Sequence, residues 1–160
     1  MVITAISLAE RARVLLERVV DPDIPYLTID DIAILRGVEV ADDGSVTVTV
    51  TPTYSGCPAL GVITSDIESV LSEGGFADVR VEIVYKPAWT TEWMSDAAKA
   101  KLAENHIAPP ASVLDIVPEV LCPMCSSGEV RTVSEFGSTA CKSLMVCTQC
   151  GEPFDYFKAI

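Results

Sequence analysis

The sequence predicts an α/β (α+β) protein: a small sheet in the order α-β-β-α-β, followed by a C-terminal ribbon closed by cysteines. Three observations carry this prediction. Apolar residues recur at helical spacing over residues 8–20 and 58–71. Strictly alternating segments, VTVTVT after residue 45 and VRVEIVY at 79–85, have the two-residue period of half-buried strands. Two CxxC pairs, CPMC and CTQC, stand 21 residues apart near the end of the chain.

The first helix is expected over 8–20. Ser7 and Glu10 have the spacing of a capping box, Leu8, Ala12, Leu15, Leu16 and Val19 form one stripe, and Pro22 stops it. The segment DPDIP at 21–25 holds two prolines and reads as a stiff loop. After the short apolar run Ile32–Leu35, strands over 38–41 and 45–51 flank DDG at 42–44, a hairpin turn. The valines of the second strand share one face, its threonines the other, and Pro52 ends it. The second helix buries Leu60, Ile63, Ile67, Val70 and Leu71 and closes at Gly74 and Gly75. The strand at 79–85 places Val79, Val81, Ile83 and Tyr85 on one face. A short helix over 95–104, capped by Ser95, precedes the break Ala108-Pro109-Pro110. Residues 113–117 read as a short strand or extended linker. The expected organisation is an α/β domain over 1–110, a linker over 111–118 and a ribbon over 119–160.

Composition excludes several classes. With 49% hydrophobic residues and a mean hydropathy of +0.37, the chain is no disordered tail. Its formal charge of -12, from 11 basic and 23 acidic residues, repels phosphate backbones and anionic membranes alike. The start, MVITAISLAERAR, lacks the basic stretch of a signal peptide, and no run of 18 apolar residues exists. A cytoplasmic location is expected, where six cysteines read as metal ligands or reactive thiols.

Cys122, Cys125, Cys147 and Cys150 have the spacing of two metal-binding knuckles. Each CxxC turn aims two sulfurs at one ion, and zinc accepts four thiolates in a tetrahedron. Strand-like segments at 129–134, 142–146 and 154–157 complete a zinc ribbon. A unit of about 40 residues has little core of its own, so the metal supplies much of its folding energy. Iron bound by the same four sulfurs is the alternative occupant. With every ligand position filled by sulfur, catalysis at this metal is not expected. Cys141 is a small buried hydrophobe or a ligand for a second, transient metal.

Cys57 stands alone in TPTYSGCP. Pro58 favours a helix start, so the thiol sits near unpaired amides that would stabilise its thiolate and lower its pKa. A metal-binding cysteine and a buried structural one both fit these residues. Asp21 and Asp23 are either carboxylates brought beside Cys57 or a solvated turn. No base accompanies the thiol: His106, the single histidine, reads as a surface residue beside the linker. GxGxxG, GxxxxGK[ST] and HExxH are absent. Trp89 and Trp93, four residues apart, share a face if helical, and are either a core seal or a partner-docking pair.

The segments DPDIP, TPTYSGCPA, PAWTTEWM, IAPP, SEFGSTACK and CTQCGEPFDYFK together resemble the PaaD family, also called the PaaJ subunits of phenylacetate-CoA oxygenase (1,2-phenylacetyl-CoA epoxidase). DPxxP with GCP alone marks the wider SufT-like iron–sulfur assembly family. The resemblance implies a non-catalytic accessory role in maturing a multicomponent oxygenase that epoxidises phenylacetyl-CoA during aerobic phenylacetate degradation. The oxygenase subunits and a reductase carrying flavin and a [2Fe–2S] centre are the implied partners; a homodimer is left open. It also implies that Cys57 holds iron or an iron–sulfur cluster in transit, with Asp21 and Asp23 matching the family's acidic loop. Many relatives read DPE there, whereas Asp23 stands at the glutamate position and reaches one methylene less far. A stable structural adaptor subunit is the competing expectation.

Overall fold

A computed structural model describes residues 7–114 and 119–160. The packing divides the chain into two compact units, 1–89 and 90–160.

In the first unit, α1 (Leu8–Leu16) begins with the expected capping box: Glu10 accepts from the Ser7 amide at 2.8 Å, and Ser7 Oγ from the Glu10 amide at 3.2 Å. The helix ends at Leu16, four residues short of the expectation. Val19 is captured instead by the next segment, its carbonyl accepting from the Ile29 amide at 3.1 Å. The loop DPDIP is a tight antiparallel hairpin, β1 (Val20–Asp21) against β2 (Ile24–Thr28). Pro25 lies inside β2, where a two-stranded ribbon leaves one edge free of hydrogen bonds.

The main sheet has the order β3-β4-β5, from β3 (Leu35–Val40), β4 (Val46–Val50) and β5 (Val79–Ile83). β3 and β4 form the expected hairpin, turned at Gly44 with φ +84°. α2 (Ala59–Glu73) carries the chain across to β5, which runs parallel to β4. Val46, Val48 and Val50 are buried while Thr47 and Thr49 are partly exposed, as alternation requires. The same register puts Val79, Val81 and Ile83 on the valine face, but β5 is an edge strand. Ile83 and Tyr85 therefore stay exposed.

The buried stripe of α2 is Ala59, Ile63, Ile67 and Leu71, with Leu60 and Val70 at its margins. Its end is a Schellman motif: the Phe76 amide donates to Leu71 O at 3.1 Å and the Gly75 amide to Ser72 O at 3.0 Å. Gly75 takes φ +92°, which favours glycine. A side chain at Gly74 would meet the tip of the Leu15 side chain of α1, which would have to turn aside. Both helices lie against the sheet and bury Ala12, Leu16, Ile63 and Ile67.

The second unit begins with a 3-10 turn, Thr91–Trp93, and α3 (Asp96–Glu104), capped by Ser95 as expected. Its sheet has the order β6-β9-β8-β7, from β6 (Ile107–Ala108), β7 (Val130–Ser134), β8 (Lys142–Cys147) and β9 (Pro153–Phe157). The three later strands match the ribbon read from sequence. β6 does not: Ile107 and Ala108 pair in parallel with Asp155 and Tyr156. Residues 90–110 thus pack with the ribbon, whereas the sequence pattern places them in the first domain. Of the segment 113–117, Val113 and Leu114 form a turn; the remainder lies outside the described residues.

Candidate metal sites

The four ribbon cysteines converge. Their sulfurs all lie within 4.8 Å of one another, and they form the single group of three or more potential ligands among the described residues. Cys122 Sγ is 3.8 Å from Cys150 Sγ, and Cys125 Sγ is 3.6 Å from Cys147 Sγ. A tetrahedral ion with metal–sulfur bonds of about 2.3 Å requires sulfur–sulfur edges of about 3.8 Å. The side chains are thus already placed for one four-coordinate ion.

The backbone fixes this geometry locally. In the first knuckle the Ser126 amide donates to Cys122 O at 2.8 Å and the Cys122 amide to Ser127 O at 2.9 Å, with Ser126 at φ +59°. In the second, the Gly151 amide donates to Cys147 O at 2.9 Å and the Cys147 amide to Glu152 O at 3.0 Å. Gly151, at φ +80°, supplies the left-handed position at no steric cost. Thr148 ties the knuckles together through its amide and hydroxyl, both donating to Glu129 O.

Cys122 and Cys147 are buried with Ala108, Met145 and Phe154, while Cys125 and Cys150 face solvent. Four thiols this close cannot share negative charge equally. The Ser127 amide favours the Cys125 thiolate, but burial and the three neighbouring sulfurs push its pKa up to about 12. Cys147 is brought down to about 7, chiefly by the Cys150 amide. A divalent ion removes this competition by holding all four as thiolates, although it offsets only part of their charge.

Cys141 takes no part in this site. It precedes β8, whose far end is Cys147, about 20 Å along an extended strand. Its sulfur lies 3.1 Å from Thr139 Oγ1 and its carbonyl accepts from the Lys158 amide at 3.0 Å. It belongs to no group of three or more potential ligands among the described residues.

Sequence reasoning missed a second polar feature in this loop. Lys142, 4% exposed, pairs with Asp155 Oδ2 at 3.4 Å, and Ser138 Oγ donates to the same oxygen at 3.2 Å. A Cβ on Gly137 would sit 2.7 Å from Asp155 Oδ1, so a side chain there would displace the carboxylate that pairs with Lys142. No periodicity announces this arrangement, because the partners come from different strands.

Cys57 belongs to the first unit. The Leu60 amide donates to its carbonyl and its own amide donates to Tyr54 O. Pro58 caps α2, as its fixed φ suits, and the thiol at the helix head is half-buried. The first-turn amides of Ala59 and Leu60 do favour the thiolate. They are outweighed: burial pushes the Cys57 pKa up, and the charges of Asp21 and Asp23 push the same way. The expectation of a lowered pKa is therefore corrected. The helix-terminus effect is present, but desolvation and two carboxylates oppose it.

The same electrostatics show that the acidic hairpin lies near Cys57, and β1 packs against α2. Yet Asp21, Asp23 and Cys57 do not converge on a common point as the ribbon sulfurs do. The two carboxylates also differ. Asp21 is 6% exposed and caps its own turn, while Asp23 is exposed.

The two tryptophans differ in exposure. Trp89 is 3% exposed and its indole N–H donates to Ile32 O at 2.9 Å. Trp93, partly exposed, ends the 3-10 turn, and no helix joins the two residues. His106 is exposed, with φ +63°.

Comparison with known proteins covers both units. The family described as "Iron-sulfur cluster assembly protein" matches residues 9–83, and "PaaD zinc beta ribbon domain" matches residues 108–158. The chain is 46% identical over 149 residues to a protein of Escherichia coli (strain K12) described as a putative subunit of 1,2-phenylacetyl-CoA epoxidase, covering 91% of this chain and 90% of that one. An "Fe-S protein maturation auxiliary factor" of Porphyromonas gingivalis is 36% identical over 89 residues, covering 55% of this chain and 84% of the relative. Among solved structures, a DUF59 domain from Bacillus anthracis superposes with a TM-score of 0.56 at 31% identity, covering 59% of this chain and 91% of that one. A second, from Thermotoga maritima, gives 0.51 at 30%, covering 58% and 91%. With the assembly-type domain, the ribbon and near full-length similarity together, the chain belongs to the PaaD family.

Proposed function

We propose that this chain is a non-catalytic accessory subunit that helps install an iron or iron–sulfur centre in a multicomponent phenylacetyl-CoA epoxidase. The observation carrying this reading is the fusion within one chain. A domain similar to iron–sulfur assembly proteins precedes a ribbon matching PaaD, and nine-tenths of the chain resembles a putative subunit of that epoxidase. In this reading the ribbon holds one zinc ion permanently. Cys57 is the transfer thiol, and the oxygenase or its reductase is the client. One sulfur beside an acidic hairpin is an incomplete ligand set, which suits a carrier that must release its cargo. The other ligands then come from the client or from a second chain. Among the described residues no helix is long and apolar enough to cross a membrane. Work in the cytoplasm, beside a client that acts on a coenzyme A thioester, is part of this reading.

The test compares wild type with Cys57→Ser in a host producing the epoxidase. Iron in the oxygenase and in the reductase is measured, together with phenylacetyl-CoA turnover. The expected result is normal zinc and normal abundance of the variant, with iron-poor and slow epoxidase. Fully loaded, fully active enzyme would return Cys57 to a packing role and make the chain a structural adaptor.

A further inference from the structure

We propose that the free edge of β5 pairs antiparallel with the same edge of a second copy of this chain. The other outer strands of the described residues are blunted. The registers of β1 with β2, of β3 with β4 and of β7 with β8 each carry an irregularity, and β6 is two residues long. Bulges and short strands discourage pairing at an edge. β5 has neither. Its register with β4 runs unbroken from Val79 to Ile83, and among the described residues no strand lies on its other side.

The hydrogen-bond phase says which groups this edge offers. The Val46 amide donates to Asp78 O at 2.8 Å and the Val84 amide to Val50 O at 2.9 Å. The even-numbered residues of β5 therefore turn their backbone groups to β4, and those of Val79, Val81 and Ile83 point outward. An antiparallel copy centred on Val81 sets Val81 against its counterpart and Val79 against Ile83. Each is then a hydrogen-bonded pair, in which both residues donate and accept.

The same register is self-complementary in side chains. Arg80 faces the second copy's Glu82, and Glu82 faces its Arg80, at the positions where side chains approach most closely. Both residues are exposed, and neither has an ion-pair partner among the described residues. On the valine face, Ile83, 41% exposed, gains cover from the partly exposed Val79 of the second copy. The pairing is two-fold, so the two Cys57 residues, each beyond the carboxyl end of β4, lie toward opposite ends of the joined sheet. A second copy bound here does not complete the ligand set at Cys57, and the inference stands whether or not Cys57 transfers metal.

Five residues a side bury less than the roughly 1,200 Å² of a stable interface, and each copy carries a formal charge of -12, so the association is weak and concentration-dependent. Full-length protein is followed by sedimentation equilibrium up to about 1 mM in about 0.15 M salt, with hydrogen exchange at both ends of that range. Wild type should dimerise. Exchange at the Val79, Val81 and Ile83 amides should slow at least about threefold at the high concentration, while the Arg80 and Glu82 amides, already bonded to β4, change less.

Arg80→Glu alone and Glu82→Arg alone set like charges opposite each other and should weaken association at least about tenfold. Mixed in equal amounts, the two variants place opposite charges across the edge again and should associate nearly as tightly as wild type. Amide dispersion checks the fold of each variant, and the exchange pattern of wild type decides by itself if either fails to fold. Wild type that stays monomeric throughout overturns the proposal. So does association that the charge reversals leave unchanged, or that protects other amides and not those of Val79, Val81 and Ile83. Protection of those three amides only when epoxidase subunits are added would give the edge to a client strand and overturn the second copy as its occupant.

Discussion

Replacing Trp89 tests whether this residue is a core seal or a docking aromatic. Its side chain is 97% withdrawn from water, the complement of its 3% exposure. Burial of roughly 200 Å² at about 25 cal/mol per Å² corresponds to roughly 5 kcal/mol. Truncations of buried aromatics to alanine cost about 3–5 kcal/mol. Trp89→Ala should therefore remove much of the stability of the first unit, since whole domains hold only about 5–15 kcal/mol. Trp89→Phe keeps most of the apolar contact and loses the indole N–H to Ile32 O, a loss of about 1–2 kcal/mol. Urea unfolding is followed by resolved amide signals in each unit, because a two-unit chain has no single unfolding free energy. Metal retention by the four cysteines reports on the ribbon independently. A loss below about 1 kcal/mol in Trp89→Ala would refute the burial argument.

Three further outcomes are expected. Cys147→Ser should lose the ion expected at the four cysteines, measured by metal analysis, and unfold the sheet of the second unit while leaving amide dispersion of the first unchanged. Asp155→Asn should destabilise the second unit by about 2–3 kcal/mol in denaturant titration, because it leaves the buried Lys142 ammonium without its counter-charge; Lys142→Met should cost less. Cys57 alkylation should show an apparent pKa above the ordinary value of 9.0, and the first unit should lose stability as pH rises. The unfolded chain gives up this proton first, so the loss begins near pH 9 and continues until the folded thiol ionises.

Local devices are legible in the sequence. Ser7 with Glu10, Gly74 with Gly75, Ser95 and the valine alternation of β4 each work within a few residues, and each holds in the fold. The four metal cysteines are legible for the same reason, since each knuckle closes over four positions. What escapes is decided at long range. Val20 leaves the helix pattern because it pairs with Thr28, and Ile107 joins the ribbon because Asp155 of β9 lies beside it. The Pro109-Pro110 break, which reads as a boundary, directly follows β6, and that strand's pairing with β9 is not visible in the sequence. Trp89 is ambiguous until its acceptor, Ile32 O, is known. The sequence places Cys57 correctly at a helix start, but its electrostatics depend on a hairpin more than thirty residues away.

The two sulfur sites differ in a way that bears on what each can hold. In the ribbon, two sulfur pairs stand at about the edge length of a tetrahedron and all four sulfurs lie within 4.8 Å of one another, while the Ser127 and Cys150 amides favour the thiolates of Cys125 and Cys147. Two of those sulfurs are also core residues, so the ion and the small hydrophobic cluster stabilise the same fold. An ion bound there leaves only with the fold, which makes it resident. At Cys57 the sulfur is single, half-buried and opposed by carboxylate charge, and no ligand set converges on it among the described residues. A cation could relieve that charge, but among the described residues no further ligands gather there to complete its coordination. The fold of the first unit does not require one either: its core of Leu16, Ile63, Ile67 and Leu71 closes without any metal ligand. Metal loss should therefore unfold one unit and leave the other intact, and that contrast separates a structural ion from a transient one without reference to any client.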